Sequence, residues 1–319
     1  MPRLIDCFIF FNELDVLEIR LRELAGVVDR FVLVEATHSF RGHPKDLVFA
    51  ANRARFAPYL DRITHVVVDD MPCDPDPWVN ERFQRNAIAR GLHGAAPDDI
   101  VVVSDVDEIP RASVMAELRG TPFKAAGLRM RLYYVRLNYQ NLVGSASHAV
   151  WSVAQPFARF RSAQAARDLR PALDAADGAL PPGHLVLPDA GWHFSYLGDK
   201  ERILNKVRNF SHAEIDTAAL EALDIDGLMR SGTDLLGRGG MVWGVVPGGH
   251  GLPDAVLADP DRYAALLAPC DPADLDRTLM RVVAGGEALR RAEQDAPVLT
   301  MMRRRFRRWR SLAGLPALG

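Results

Sequence analysis

The chain has 319 residues, of which 48% are hydrophobic and 25% charged, and its formal net charge is −2 at pH 7. This composition is typical of a soluble globular protein with one large domain or somewhat more. The near-neutral charge argues against a nucleic-acid-binding protein, and no apolar run reaches the roughly 20 residues that span a bilayer. Three widely spaced cysteines, Cys7, Cys73 and Cys270, favour reduced thiols in a cytoplasmic protein, and no secretory leader is predicted.

The first hundred residues alternate between predicted strands and helices. On the first helix, Val16, Ile19 and Leu24 are predicted to face the core, and Arg20, Arg22 and Glu23 to face solvent. Such alternation argues for a parallel sheet with helices on both faces. The predicted strands are 4–10, 29–35, 63–68 and 100–103, and the predicted helices are 15–24, a stretch ending near 55, and 79–91.

The regular alternation of strands and helices does not continue after this part of the chain. Residues 127–137 predict a long strand, and residues 191–196 predict a short strand that enters a turn. The Ala-, Pro- and Asp-rich segment 163–190 and the glycine-rich segment 231–256 are predicted to be loops. A helix is predicted over 201–210, and short helices from about residue 260.

Two carboxylates directly follow the most apolar predicted strand. The run 100–103 leads into Asp105 and Asp107, and ligands of open α/β sheets bind at the carboxyl ends of strands. If the chain stays extended, residues i and i+2 point to the same side. Mg²⁺ and Mn²⁺ prefer carboxylate and phosphate oxygens. The pattern predicts a nucleotide–metal site, and the alternative is a solvated turn.

Polar residues at the ends of the first two strands are candidates for nucleotide contacts. Asn12 and Glu13 follow the first strand, where a base or ribose would lie, although Asn12 could equally cap the next helix. Glu35 ends the second strand and could accept a hydrogen bond from a ribose hydroxyl, or be an ordinary strand-end carboxylate. No Gly-x-Gly-x-x-Gly follows the first strand, which disfavours a dinucleotide-dependent dehydrogenase.

Two helices supply further candidates. Arg85 and Asn86 precede the apolar strand 100–103 and could reach a nucleotide. The structural alternative for Arg85 is a surface ion pair with Glu81, four residues earlier on the same helix. Lys206 lies on a basic helix that could neutralise a diphosphate or simply present a solvated face. The basic side chains of that helix are Lys200, Arg202, Lys206, Arg208 and His212.

His193 lies between Trp192 and Phe194. A histidine among aromatic residues is more often a satisfied core residue than a metal ligand. Two aspartates alone leave a divalent ion short of ligands, however, and imidazole suits Mn²⁺. His193 is therefore a candidate third ligand.

Five segments, 6–21, 28–36, 39–45, 104–110 and 191–198, together resemble glycosyltransferase family 17. The resemblance implies an α/β fold of the GT-A nucleotide-diphospho-sugar transferase type, with a mostly parallel central sheet, flanking helices and a helical C-terminal extension. It implies a catalytic domain over 1–215 and a loop-rich and helical region over 216–319 packed on it.

The same resemblance implies an inverting, β-1,4-N-acetylglucosaminyltransferase-like enzyme that uses a UDP-sugar and Mn²⁺ or Mg²⁺. The metal ligands would be Asp105, Asp107 and His193. The donor-binding candidates are Asn12, Glu13, Glu35, Lys45, Arg85, Asn86 and Lys206.

Inversion needs a base that deprotonates the acceptor hydroxyl. Asp189, Asp199 and Glu201 flank the segment around His193 and are candidates; Glu108 is another, or it supports the metal ligands. The expected acceptor is a glycan or a lipid-linked saccharide. Two rival functions are a non-catalytic nucleotide-sugar-binding protein and, less favoured, a metal-dependent phosphohydrolase.

Residues 302–310 place Met302, Phe306 and Trp309 at helical spacing among arginines. Such a basic amphipathic helix could contact an anionic membrane or pack on its own domain, with RNA binding a distant third. The expected location is therefore cytoplasmic, with peripheral contact at the inner face of a membrane. The sequence indicates no oligomeric state.

Overall fold

The computed structural model describes residues 1–144, 147–175, 180–211, 221, 224–247, 251–270 and 272–295, without the side chains of 272–274 and 288–295. The strands of the described residues are β1 (Leu4–Phe10), β2 (Arg30–Ala36), β3 (Ile63–Val68), β4 (Ile100–Asp105), β5 (Glu108–Pro110), β6 (Ala125–Tyr134), β7 (Tyr139–Val143), β8 (His148–Pro156), β9 (His184–Leu187), β10 (Gly191–Ser195) and β11 (Val242–Val245).

The α-helices are α1 (Leu14–Leu24), α2 (Val48–Ala51), α3 (Pro77–Asn86), α4 (Ala112–Leu118), α5 (Ala163–Arg167), α6 (Arg170–Asp174), α7 (Lys200–Asn209), α8 (Ile225–Ser231), α9 (Asp254–Leu257) and α10 (Pro272–Asp295). Short 3₁₀ helices span Arg53–Tyr59, Ala87–Gly91, Phe157–Arg159 and Asp261–Leu266.

All of these strands belong to one mixed sheet, and the predicted α/β class is confirmed. Its main path runs β11-β7-β6-β8-β4-β1-β2-β3. The strands β3, β2, β1 and β4 are mutually parallel, as the β-α alternation predicts. Beyond β4 the sheet continues through the antiparallel pairs β4–β8, β6–β8, β6–β7 and β7–β11.

Strand β1 shows why this sheet carries two apolar layers. Its residues are all buried, and successive side chains of a strand point to opposite faces. Leu4, Phe8 and Phe10 join one core cluster, whereas Ile5, Cys7 and Ile9 join another. A parallel strand covered on both faces reads as a continuous apolar run, which is why it was recognisable in the sequence.

The two segments predicted to be loops contain regular structure. The segment 163–190 holds α5, α6 and β9, and Ser162 caps α5 by accepting the Ala165 N–H. The segment 231–256 holds β11, whose pairing with β7 comes from the tertiary fold rather than from local pattern. Helices and strands of four or five residues are too short for hydrophobic periodicity to reveal.

The region after residue 216 contributes directly to the sheet and the core. Besides the strand β11, it supplies the carbonyl of Gly251, which accepts a hydrogen bond from Trp192 Nε1. The predicted domain boundary between 215 and 216 falls in a segment outside the described residues and stays a prediction, as does the role of 302–310, also outside them. Within the described residues, no helix combines the length and apolarity needed to cross a membrane.

Gly191 begins the strand β10, which carries His193. It pairs with Pro110 of β5, and a Cβ atom at this position would overlap the carbonyl oxygen of Ile109. We expect Gly191→Ala to destabilise the fold by about 1–3 kcal/mol, the usual range for overpacking. Urea unfolding measures the change. Gly26→Ala is the matched control, since a Cβ there meets nothing within 4 Å, and equal stability of the two variants would contradict this packing.

Candidate active site

A cavity of about 970 Å³ opens where β1 and β4 end. Adjacent strands follow the order β3-β2-β1-β4. The chain therefore leaves β1 towards one side of the sheet and leaves β4 towards the other side. Open α/β sheets bind ligands at such a topological switch point. The residues Ile9–Phe11 and Asp105–Glu108 line the cavity from these two strand ends. Asp105 and Asp107 therefore share one cavity.

The route of the chain between these two aspartates differs from the extended path assumed in the prediction. Strand β4 ends at Asp105, and residues 106–107 form a turn. The two carboxylates consequently have different neighbours and do not point side by side from one strand. They form two separate charged centres in the same cavity wall.

Arg20 holds this turn in place. The prediction of a solvent-facing Arg20 is wrong: the side chain is fully buried and pairs with both carboxylate oxygens of Asp6 on β1, at 2.7 and 2.6 Å. Its remaining guanidinium hydrogens go to Ser104 Oγ at 2.6 Å and to the carbonyls of Asp105, Val106 and Glu108 at 3.1, 3.2 and 2.8 Å. One side chain of α1 thus fixes the backbone that carries the aspartates.

The first centre is Asp105, which lies between two arginines. Its oxygens are 2.5 Å from Arg167 Nη2 and 3.3 Å from Arg85 Nη2. Burial alone would raise the pKa of Asp105, but Arg167 and Arg85 outweigh it and hold the pKa well below its ordinary value. Arg85 and Glu81 are both buried, so the alternative of an exposed surface pair is wrong.

Glu108 belongs to the same centre. It is buried, and its oxygens accept hydrogen bonds from Arg167 at 2.8 and 2.7 Å and from the Asp105 backbone N–H at 2.8 Å. Arg170 lies 3.6 Å away. With both oxygens engaged by cations and backbone, Glu108 is placed to support Asp105, and the geometry does not favour its candidacy as a base.

The second centre joins Asp107, Lys206 and His193. Lys206 Nζ is 2.6 Å from Asp107 and 3.3 Å from Glu13, and His193 Nε2 is 3.7 Å from Asp107. Burial raises the pKa of Asp107, and Lys206 opposes this. Burial would lower the pKa of Lys206, but Asp107 and Glu13 raise it above its usual value. Burial lowers the pKa of His193 despite the nearby Asp107, which favours the neutral imidazole.

Three buried polar atoms around the cavity have no hydrogen-bond partner among the described residues: His193 Nδ1, Trp151 Nε1 and Arg85 Nε. The Trp151 ring also lies 4.3 Å from the His193 ring. Buried polar groups are nearly always satisfied, by protein, water or ligand. These three atoms are therefore available to bind water or a polar ligand.

The residue types of the second centre fit a divalent cation. The carboxylate of Asp107 and a neutral imidazole whose Nε2 lies 3.7 Å from it are suitable ligands for Mn²⁺. Asp105 and Asp107 are each already paired with a cation, Arg167 at 2.5 Å and Lys206 at 2.6 Å, so either carboxylate would have to exchange that partner for the metal. No group of three ligating side chains is assembled within the described residues. Asp105, Asp107 and His193 all line the one cavity.

A scan against protein families matches residues 1–239 to glycosyltransferase family 17. This is three quarters of the chain and includes every residue of both centres. The chain belongs to glycosyltransferase family 17.

Three curated relatives share a shorter region with this family 17 chain. They carry the name β-1,4-mannosyl-glycoprotein 4-β-N-acetylglucosaminyltransferase and come from Rattus norvegicus, Homo sapiens and Mus musculus, with 29%, 29% and 28% identity over 116 residues. The match covers 34% of this chain and 22% of each relative. The chain therefore spans about a fifth of the length of these relatives.

Among solved structures, the glucosyl-3-phosphoglycerate synthase of M. tuberculosis is similar to 60% of this chain and 71% of its own, with 14% identity and a TM-score of 0.32. A TM-score this low supports no inference about fold or activity.

Several candidates for donor binding in this family 17 protein lie outside the cavity lining. Glu35 is buried and accepts the Phe49 N–H at 2.8 Å, with His65 at 3.1 Å and Lys45 at 3.9 Å, which anchors the segment after β2. Asn86 accepts the Gln164 N–H at 3.0 Å. The cavity lining does include Glu13, Arg85 and Lys206.

Asn12 neither lines the cavity nor caps α1. The N-cap position is Glu13, whose own side chain accepts the N–H groups of Phe11 and Asn12 at 3.1 and 3.0 Å. Asn12 instead lines a separate polar groove beside α7. The predicted basic residue His212 lies outside the described residues.

The three predicted base candidates around β10 also lie away from the cavity. Asp189 is exposed and pairs with Arg131 at 2.9 Å and Arg111 at 3.4 Å. Asp199 caps α7 by accepting the Arg202 N–H, and Glu201 lines the neighbouring groove with it. Proximity to His193 along the chain did not translate into proximity to the site.

The structure adds cavity residues that sequence reasoning missed. Arg167 and Arg170 come from the segment predicted to be a loop, and Trp151 comes from β8. Arg238, held by Asp234 at 2.9 Å and by the Tyr134 hydroxyl at 2.5 Å, reaches the cavity from the C-terminal region. The available signal was the pair of arginines three residues apart after a run of alanines, which is compatible with a helix.

Proposed function

We propose that this chain is an inverting glycosyltransferase that transfers a sugar from a UDP-sugar to a glycan or lipid-linked saccharide, and that the sugar is N-acetylglucosamine. The observation that carries the proposal is the pair Asp105 and Asp107 in a cavity at the β1/β4 switch point of a family 17 chain. The names of the curated relatives support N-acetylglucosamine and a β-1,4 linkage.

The cavity has the charges that a nucleotide diphosphate needs. Arg82, Arg85, Arg167, Arg170, Lys206 and Arg238 line it, and arginine in particular binds phosphate oxygens with paired hydrogen bonds. Arg85 and Arg167 are already fixed by Asp105, so they need little further ordering to receive a ligand. We assign these two arginines and Lys206 to the diphosphate.

Asp107 and His193 are the residues that would hold a divalent cation. When bound, Mn²⁺ or Mg²⁺ stabilises the negative charge that develops on the leaving diphosphate. Lys206 balances the charge of Asp107. Through its contact with Glu13, it also keeps the N-terminus of α1 close to the site. The burial that favours neutral His193 suits it to be a ligand rather than a cation.

A thermal-shift panel tests donor binding. We expect UDP and UDP-N-acetylglucosamine, each with Mn²⁺, to raise the melting temperature by several degrees, because a ligand at a hundred times its Kd stabilises by about 2.7 kcal/mol. ADP and GDP with Mn²⁺ are the matched controls and should give smaller shifts. No shift with any uridine nucleotide, with or without metal, would contradict the proposed donor.

A further inference from the structure

We infer that Asp168 is the catalytic base that deprotonates the acceptor hydroxyl. This inference rests on the proposed function and supplies the group that it still lacks. Among the described residues, six carboxylates line the cavity: Glu13, Glu81, Asp105, Asp107, Glu108 and Asp168. The first five are each paired with an arginine or lysine at 2.5 to 3.3 Å. Asp168 alone among them forms no ion pair with the described residues.

The difference in burial separates the roles of these acids. Asp107 and Glu108 are buried among their cations, whereas Asp168 is exposed. A base must meet an acceptor that arrives from solvent, after the donor has occupied the inner part of the cavity. Asp168 is the lining carboxylate in the described part of the chain that combines access from solvent with freedom from a cation.

Asp168 lines the same cavity as the first centre, which surrounds Asp105. It directly follows Arg167, whose guanidinium is 2.5 Å from Asp105, and adjacent Cα atoms are about 3.8 Å apart. Its own N–H donates to the Gln164 carbonyl at 2.9 Å, at the end of α5. The contact between Arg167 and Asp105 therefore also fixes the position of Asp168 relative to the turn that carries Asp107.

A hydrogen-bonded chain orients the carboxylate. Gln164 Nε2 donates to Asp168 Oδ1 at 2.8 Å, and Gln164 Oε1 accepts from Arg85 Nη1 at 2.7 Å. Arg85 in turn contacts Asp105. A base that is itself oriented by a neighbouring group is the arrangement expected for activation of a nucleophile. Gln164 is thus a positioning residue that connects Asp168, through Arg85, to Asp105.

The proposed step balances as follows. The acceptor hydroxyl gives its proton to the Asp168 carboxylate, and its oxygen forms a bond to the anomeric carbon of the donor sugar. The bond from that carbon to the diphosphate oxygen breaks, and UDP leaves with the electron pair. With water in place of the acceptor, the same step releases the free sugar and UDP.

Asp168→Asn tests the assignment through the release of UDP from UDP-N-acetylglucosamine in the presence of Mn²⁺. General base catalysis contributes about 10²–10⁴-fold, so we expect the turnover rate to fall by at least 100-fold while the Kd for UDP, measured by calorimetry, is unchanged. Asp168→Glu should recover part of the rate. Asp189→Asn changes another exposed aspartate, one outside the cavity lining, and is the control that should keep wild-type turnover.

The outcomes are distinguishable. Full turnover by Asp168→Asn would overturn the role of Asp168 and leave the proposed function intact. Equal loss of UDP binding and turnover would also overturn it, because a base does not hold the nucleotide. No release of UDP by the wild-type protein, and no binding of UDP, would contradict the proposed function itself.

Discussion

Replacing Arg20 with methionine is expected to destabilise the fold by about 3–5 kcal/mol, the range for breaking a buried ion pair by removing one partner. The change leaves Asp6 buried without its cation and removes the donors that hold the carbonyls of Asp105, Val106 and Glu108. Guanidinium chloride unfolding at neutral pH measures the loss. Arg20→Lys should recover little, since an ammonium cannot reproduce the planar fork of five N–H groups.

Arg22→Met is the matched control on the same helix. Arg22 pairs with Asp259 at 3.1 Å, but both side chains are partly exposed, and exposed pairs contribute at most about 1 kcal/mol. If Arg20→Met and Arg22→Met destabilise the protein equally, then Arg20 does not hold the turn as the hydrogen bonds indicate.

Replacing Asp107 with asparagine is expected to reduce the release of UDP from UDP-N-acetylglucosamine by about 10²-fold or more, because a metal-held diphosphate is worth several kcal/mol in the transition state. The substitution removes the charge shared by Lys206 and His193. Single-turnover measurements with saturating Mn²⁺ separate this effect from weaker donor binding. Unchanged turnover in Asp107→Asn would contradict the proposed role of Asp107 in holding the divalent cation.

Asp107→Asn also leaves the Lys206 ammonium with only Glu13 as a carboxylate partner among the described residues, which can destabilise the fold. The double variant Asp107→Asn/Lys206→Met removes both members of the pair and should restore stability relative to the single variant. It should not restore turnover. Recovery of turnover in the double variant would mean that the single variant had lost only its fold.

The half of the sheet that positions the site could be predicted because its strands are buried on both faces. The runs at β1 and β4 are short, apolar and followed at once by polar residues. The end of β4 therefore located Asp105 and Asp107 at the carboxyl edge of the sheet, where the cavity lies. Their separate environments could not be foreseen, since the turn at 106–107 depends on Arg20, which belongs to another element.

The burial of Arg20 had a signal in the sequence. Arg20 lies four residues after Val16 and four before Leu24 on α1, and residues four apart share a helix face. It therefore falls within the apolar stripe, and Asp6 is the one acid in an otherwise apolar strand. A charge on the core face of a helix and an opposite charge in a buried strand together predict a buried pair.

Arg167, Asp168 and Arg170 could not be placed from sequence. They sit on or between the five-residue helices α5 and α6, whose positions are fixed by Ser162 and by ion pairs to Asp105 and Glu108. Those partners lie about sixty positions away along the chain. Chain proximity to His193 instead favoured Asp189, Asp199 and Glu201, which the fold turns away from the cavity.

The most direct test of the proposed transfer is the rate at which wild-type protein releases UDP from UDP-N-acetylglucosamine, with Mn²⁺ and with EDTA in parallel. We expect steady release of UDP with Mn²⁺ and a large loss of rate with EDTA. We also expect Asp105→Asn and His193→Ala to lower the Mn²⁺-dependent rate. Tight binding of UDP without any release of UDP, both in water and with a panel of saccharide acceptors, would contradict a transferase and favour a nucleotide-sugar-binding protein.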